Sequence, residues 1–192
     1  MTVTALVAVT VLLVSSTLRR EEPPSYAPTP ARPAEVGDAL VRPTVYTVDA
    51  READAWRYFD FSRNSVVDEP GPQEWDLAFQ RNRVIANGGD GFAGRGGIAD
   101  LGTVPFDSVR AVPAEGYVAT ARDSVNAASE DWYDYSFTSH LLTPRPRTYA
   151  VRTADGRYAK LEILAYYCPG AAAGCMTFRY AYQGSGSTSF EP

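Results

Sequence analysis

The chain has 192 residues, a formal net charge of −5, and a single lysine, Lys160, among its 18 basic residues. No basic cluster is present, so nothing supports nucleic-acid binding, and the mildly acidic balance is that of an ordinary solvated exterior. One histidine and two cysteines leave little for imidazole catalysis or a zinc set, whereas 12 Tyr, 8 Phe and 3 Trp can fill one sizeable core.

Thr2 to Leu18 form an uncharged, mostly apolar run. As a helix it would reach roughly 25 Å, near the lower limit for crossing a bilayer. No basic n-region precedes it, and no cysteine follows for lipoprotein processing. We read residues 1–20 as a single transmembrane anchor, with cleavage near Ser15-Ser16-Thr17 as the weaker alternative. Arg19 and Arg20 would draw the following chain into the cytoplasm by the positive-inside rule. The cysteine pair described below argues the opposite, and the expectation is a single-pass inner-membrane protein with its C-terminal domain in the periplasm. Residues 21–43 include Pro23, Pro24, Pro28, Pro30 and Pro33. They suit a polyproline II linker rising about 3 Å per residue.

From 44 to 185 the dominant period is two, the mark of half-buried antiparallel strands. Strands are predicted at Thr44–Val48, Trp56–Phe61, Trp75–Gln80, Arg83–Ala86, Gly97–Leu101 and Thr148–Arg152. In DWYDYSF, Tyr133, Tyr135 and Phe137 share one face, with Trp132, Asp134 and Ser136 on the other. GRYAKLEILAYY sets Ala159, Leu161, Ile163 and Ala165 against Tyr158, Lys160 and Glu162. CMTFRYAYQ sets Met176, Phe178, Tyr180 and Tyr182 against Thr177, Arg179 and Ala181. Turn chemistry separates these runs at Asn87-Gly88-Gly89, Ala154-Asp155-Gly156 and Pro169-Gly170. Helical periodicity is weak, with at most a turn at Ala50–Ala55 and another in AASEDWY. The expected fold class is all-β and mostly antiparallel, preceded by the N-terminal transmembrane helix and followed by a tail at 186–192.

Cys168 and Cys175 bracket PGAAAG at facing ends of a hairpin loop, where Cα atoms come within disulfide range. A disulfide is expected, worth about 2–3 kcal/mol in the loop-entropy model, and it suits an extracytoplasmic compartment. The glycine-rich stretch from Gly88 to Gly97 lacks the Lys-Ser/Thr and following helix of a phosphate loop, and reads as a connection. Asp60, Glu74 and Asp76 form no recognisable acid–base pair. Asp76 reads as tying down a turn or a buried backbone amide. No enzyme activity is expected.

WRYFDFSRNSVV, EWDLAFQRNRVIANGG, TYAVRTADGRYAKLEILAYY and TFRYAYQ together resemble the HmuY family of bacterial envelope haem-binding proteins over roughly Val45 to Gln183. The resemblance implies an all-β fold clasping haem between loops at one end, with iron held by two side chains, commonly two His or two Met. This chain departs from that pattern. Its only histidine is His140 and its only methionines are Met1 and Met176, the latter on a core face. His140, in SFTSHLLTPRPRTY, leaves one-sided ligation or a His–Tyr set with Tyr133, Tyr135 or Tyr117. Two functions follow as expectations. The first is a tethered, cofactor-free accessory subunit of an inner-membrane complex, photosynthetic reaction-centre or respiratory, docking through exposed aromatics and the Pro-rich arm. The alternative is an HmuY-type haem-binding protein with altered ligation at His140.

Overall fold

The computed structural model describes residues 22–122 and 124–191. The expected anchor at Thr2–Leu18 lies outside the described residues, and among those described no helix is long and apolar enough to cross a membrane.

Among the described residues eleven strands follow in chain order: β1 (Leu40–Asp49), β2 (Arg57–Asp60), β3 (Ser65–Val67), β4 (Leu77–Gln80), β5 (Arg83–Ala86), β6 (Gly97–Asp100), β7 (Tyr133–Tyr135), β8 (Leu142–Pro144), β9 (Thr148–Arg152), β10 (Tyr158–Cys168) and β11 (Ala172–Gln183). They form a five-stranded sheet ordered β1-β11-β10-β9-β6, a four-stranded sheet ordered β3-β2-β4-β5, and the separate hairpin β7-β8. Every pairing of these strands is antiparallel. The all-β reading holds. Ala50–Ala55 makes no helix, and AASEDWY keeps only a 3-10 turn at Ala127–Ser129, capped by the Asn126 side chain accepting from the Ala128 amide at 3.1 Å.

The large sheets face one another across an aromatic core. Tyr46 and Val48 from β1, Phe59 from β2, Leu77 and Phe79 from β4, and Phe178, Tyr180 and Tyr182 from β11 are all buried in it. Phe59 stands at the centre, with ring centroids of Tyr46, Phe61, Phe178 and Tyr180 at 4.9, 5.2, 5.2 and 5.4 Å, each edge-to-face. The outer face of the larger sheet is also covered. Val109 and Val112 pack on Ala150, backed by Phe190, and the sole lysine is buried beneath them. The 186–191 segment is stitched to this cover, with the Val112 amide donating to Thr188 O and the Phe190 amide to Arg110 O.

The Pro-rich arm does not stand clear as a spacer. Its amides donate from Tyr26 to Tyr167 O, from Thr29 to Thr47 O, from Arg32 to Ser65 Oγ and from Ala34 to Arg63 O, all at 2.9–3.0 Å. The Thr47 amide donates back to Thr29 Oγ1 at 3.0 Å. β1 and β3 are edge strands of their sheets. An extended arm keeps its backbone groups unpaired internally, so it can cap such edges.

Candidate functional site

The β7–β8 hairpin stands outside both sheets and is anchored at its base through Trp132 and at its loop end through Leu142. Trp132 is buried, its indole N–H donates to Asn82 O at 2.9 Å, and its ring lies 4.8 Å from Tyr133 and 5.8 Å from Tyr166. The Leu142 amide donates to Tyr167 Oη at 2.7 Å, fastening β8 to β10. Tyr133, Leu141 and Leu142 pack against the core, while the face that carries Tyr135 and Phe137 opens outward. Trp132 turns inward, while Tyr135 is 44% and Phe137 85% exposed.

The hairpin loop folds back on this exposed face. The His140 amide donates to Ser136 O at 2.8 Å, the Ser136 amide donates to Leu141 O at 2.9 Å, and His140 takes the left-handed conformation with φ of 58°. That backbone carries the imidazole over Tyr135, with Nδ1 2.5 Å from the Tyr135 hydroxyl and ring centroids 5.9 Å apart. Phe137 meets Tyr135 edge-on at 5.1 Å. Tyr133 falls on the same face of β7 as Tyr135. Its hydroxyl accepts from Asn82 Nδ2 at 3.2 Å, beside a cleft of about 180 Å³ between Arg83, Val125, Glu130 and Tyr133.

The structure therefore joins His140 to Tyr135, with Tyr133 further down the same face. Tyr117 is not part of this set. Its hydroxyl donates to Pro113 O at 2.7 Å, its ring packs by Tyr158 with Arg152 above, and burial pushes its pKa up. Met176 is wholly buried in the core and cannot reach an iron. Arg83, a cation on the cleft wall, was not singled out from sequence; one arginine among many carries no signal until the fold sets it beside Tyr133.

Two donors hydrogen-bonded to one another cannot occupy opposite faces of one iron. Were iron held here, Tyr135 and His140 could supply one ligand between them, the other residue supporting it. The loop at Pro169–Gly174 presents only proline, alanine and glycine, which offer no ligand. It is closed by the Cys168–Cys175 disulfide, with an S–S distance of 2.08 Å and a Cα–Cα distance of 4.9 Å.

The carboxylates behave as structural groups. Asp76 is buried, its oxygens accepting from the Phe61 amide at 2.9 Å and the Ala154 amide at 2.8 Å. Burial, and then the Asp60 charge, push its pKa up to about 8. Asp60 accepts from Ser62 Oγ and the Arg63 amide, and Glu74 from the Gly71 amide. Among the described residues no group of three or more His, Cys, Asp or Glu is placed to hold a metal ion. The glycine-rich connection closes on itself. A side chain on Gly88 would meet Gly96 O at 2.1 Å, and the Gly94 amide donates to Asn87 Oδ1 at 3.1 Å.

A family model described as HmuY protein matches residues 52–180. Among solved structures, a putative HmuY-like heme binding protein from Bacteroides vulgatus ATCC 8482 superposes with a TM-score of 0.59 at 23% identity, covering 73% of this chain and 92% of its own. An apo HmuY analog from Tannerella forsythia gives 0.58 at 16% identity, covering 78% and 98%. A putative lipoprotein from Bacteroides fragilis NCTC 9343 gives 0.55 at 19% identity, covering 73% and 89%. At these identities the likeness carries the fold. No curated protein matches the chain. Nothing in these comparisons supports the expected kinship with reaction-centre or respiratory-complex subunits.

Proposed function

Because this chain belongs to the HmuY family, we propose that it is a haem-binding protein that holds its cargo from one side, at the Tyr135–His140 pair. The observation that carries this reading is the 2.5 Å contact between those two side chains on an exposed aromatic face. Phe137 and the Tyr135 ring would pack on the porphyrin plane, and Arg83 at the cleft below would meet its carboxylates. The family's usual two-sided ligand set is missing, so the chain's own contribution is a single iron ligand, a stacking wall and a cation. The disulfide, and the likeness to a putative lipoprotein of Bacteroides fragilis, support an extracytoplasmic domain.

Haemin titrated into the purified chain should give a saturable Soret band at one haem per chain. The double variant Y135F/H140A should abolish it. No saturable band in the wild type, or one untouched in the double variant, would overturn the reading. The accessory-subunit reading is favoured by one observation, the 85% exposure of Phe137, which equally suits a protein contact. Stoichiometric co-purification of haem-free chain with a larger membrane assembly would support it.

A further inference from the structure

We infer that the four-stranded sheet carries a second site, a groove beside β2 and β3 that binds a neutral saccharide. It stands on other residues than the haem-binding reading and does not depend on it.

The two large sheets are covered unequally. Val109, Val112 and Phe190 close over the outer face of the five-stranded sheet. On the four-stranded sheet, Trp75, Ala78 and Ile85 are topped by the half-buried rings of Trp56, Tyr58 and Phe92. Beside these rings lies a groove of about 410 Å³ lined by Trp56, Arg57, Tyr58, Val67, Asp68 and Glu69. Tyr58 pairs with Val67 across β2 and β3, which sets their side chains next to one another on one face.

The rings are held in place before any ligand arrives. Tyr58 meets the buried Trp75 edge-on at 5.0 Å. Arg83 lies 5.1 Å from the Trp56 ring centroid and is itself fixed by donating to Gln80 Oε1 at 2.8 Å. A wall already ordered loses little entropy on binding. The polar groups, by contrast, are underused. Arg57 Nη2 stands 3.3 Å from Asp68 Oδ1, yet Arg57 Nε is buried without a hydrogen bond. Among the described residues the Tyr58 hydroxyl and the Glu69 carboxylate have no hydrogen-bond partner. Glu69 is left-handed, with φ of 49°, directly before Pro70, although proline favours extended backbone in the residue preceding it.

These groups specify the ligand class. An anion would be opposed by Asp68 and Glu69, and a cation by Arg57. A hydroxyl both accepts and donates, so neighbouring hydroxyls can accept from the guanidinium and donate to the carboxylates. The C–H faces of a pyranose ring are apolar and flat enough to pack on Trp56 and Tyr58. A neutral saccharide meets both demands at once, with an aromatic wall for area and a few placed polar groups for orientation.

The test is calorimetric titration of the purified chain with four neutral probes, cellopentaose, maltopentaose, mannopentaose and chitopentaose, and with two charged ones, a heparin oligosaccharide and a short oligolysine. At least one neutral probe should bind saturably, one per chain, with an affinity that salt does not change. W56A and E69Q should each weaken that binding by about tenfold or more. Equal melting temperatures check the fold, and E69Q, on an exposed bend, carries the test should W56A fail to fold. No binding of any neutral probe, tighter binding of either charged probe, or an affinity untouched by W56A or by E69Q would overturn the inference.

Discussion

Asp76 shows how a single buried carboxyl can brace two sheets. Phe61, whose amide it accepts, follows β2 in the four-stranded sheet, while Ala154 lies in the turn between β9 and β10 of the other. Burial favours its protonated form, raising the pKa from an ordinary 3.8 to about 8. Folding thus binds a proton more tightly than the unfolded chain does. The stability this contributes is full below 3.8 and lost as pH climbs through about 8. The urea midpoint of the wild type should fall across that interval, and D76N should flatten the fall. D76N should also be less stable at low pH by about 1–3 kcal/mol, because an amide cannot accept from both backbone donors through two oxygens. An undiminished decline in D76N would assign it to other groups. The structural role of Asp76 was legible beside Trp75. That of Lys160 was not. Alternation put it on an outward face, but could not show that residues 106–109 and Phe190 close over it, with Nζ donating to Phe106 O at 3.0 Å and Val109 O at 2.6 Å. That burial draws its pKa down.

Among the elements, β10 and β11 were the plainest to read, because strands of 11 and 12 residues display their period many times over. Strands β3 and β8, at three residues each, are too short to show any period and went unseen. Around β7, the longer run DWYDYSF separates a face carrying Tyr133, Tyr135 and Phe137, of which Tyr133 packs against the core. Alternation separates two faces without saying how much of either meets the core, and here Tyr135 and Phe137 stay outside. The cysteine pair was legible from spacing, since PGAAAG between two strong strands leaves little but a hairpin loop. Replacing both cysteines by serine should cost about 2–3 kcal/mol by denaturant titration in oxidising buffer. An unchanged midpoint would mean that β10 and β11 hold the loop closed unaided.

At the scale of the whole molecule, one aromatic core joins both large sheets, and Phe178 lies near its middle, fully buried against Phe59, Phe79 and Tyr180. Phe178→Ala should therefore cost about 3–5 kcal/mol in equilibrium unfolding, and a near-wild-type result would contradict the facing of the sheets. The alternating strands made this core readable. The course of the Pro-rich arm was not readable, because its contacts are backbone hydrogen bonds to edges that exist only once the sheets are assembled. The same holds for the candidate site. His140 and Tyr135 were each visible as ligand candidates, but their union depends on a left-handed backbone at His140 that no residue preference announces.

The arm has a mechanical consequence. It runs from Tyr167 across Thr47 to Ser65 and Arg63, touching down at separate points. A pull on the chain before Glu22 would load those points singly, from Tyr26 onward, so the strap should unzip at low force while both sheets stay whole. The first anchorage to feel that tug is Tyr167, whose hydroxyl also accepts from the Leu142 amide and so steadies the aromatic hairpin beside Tyr135.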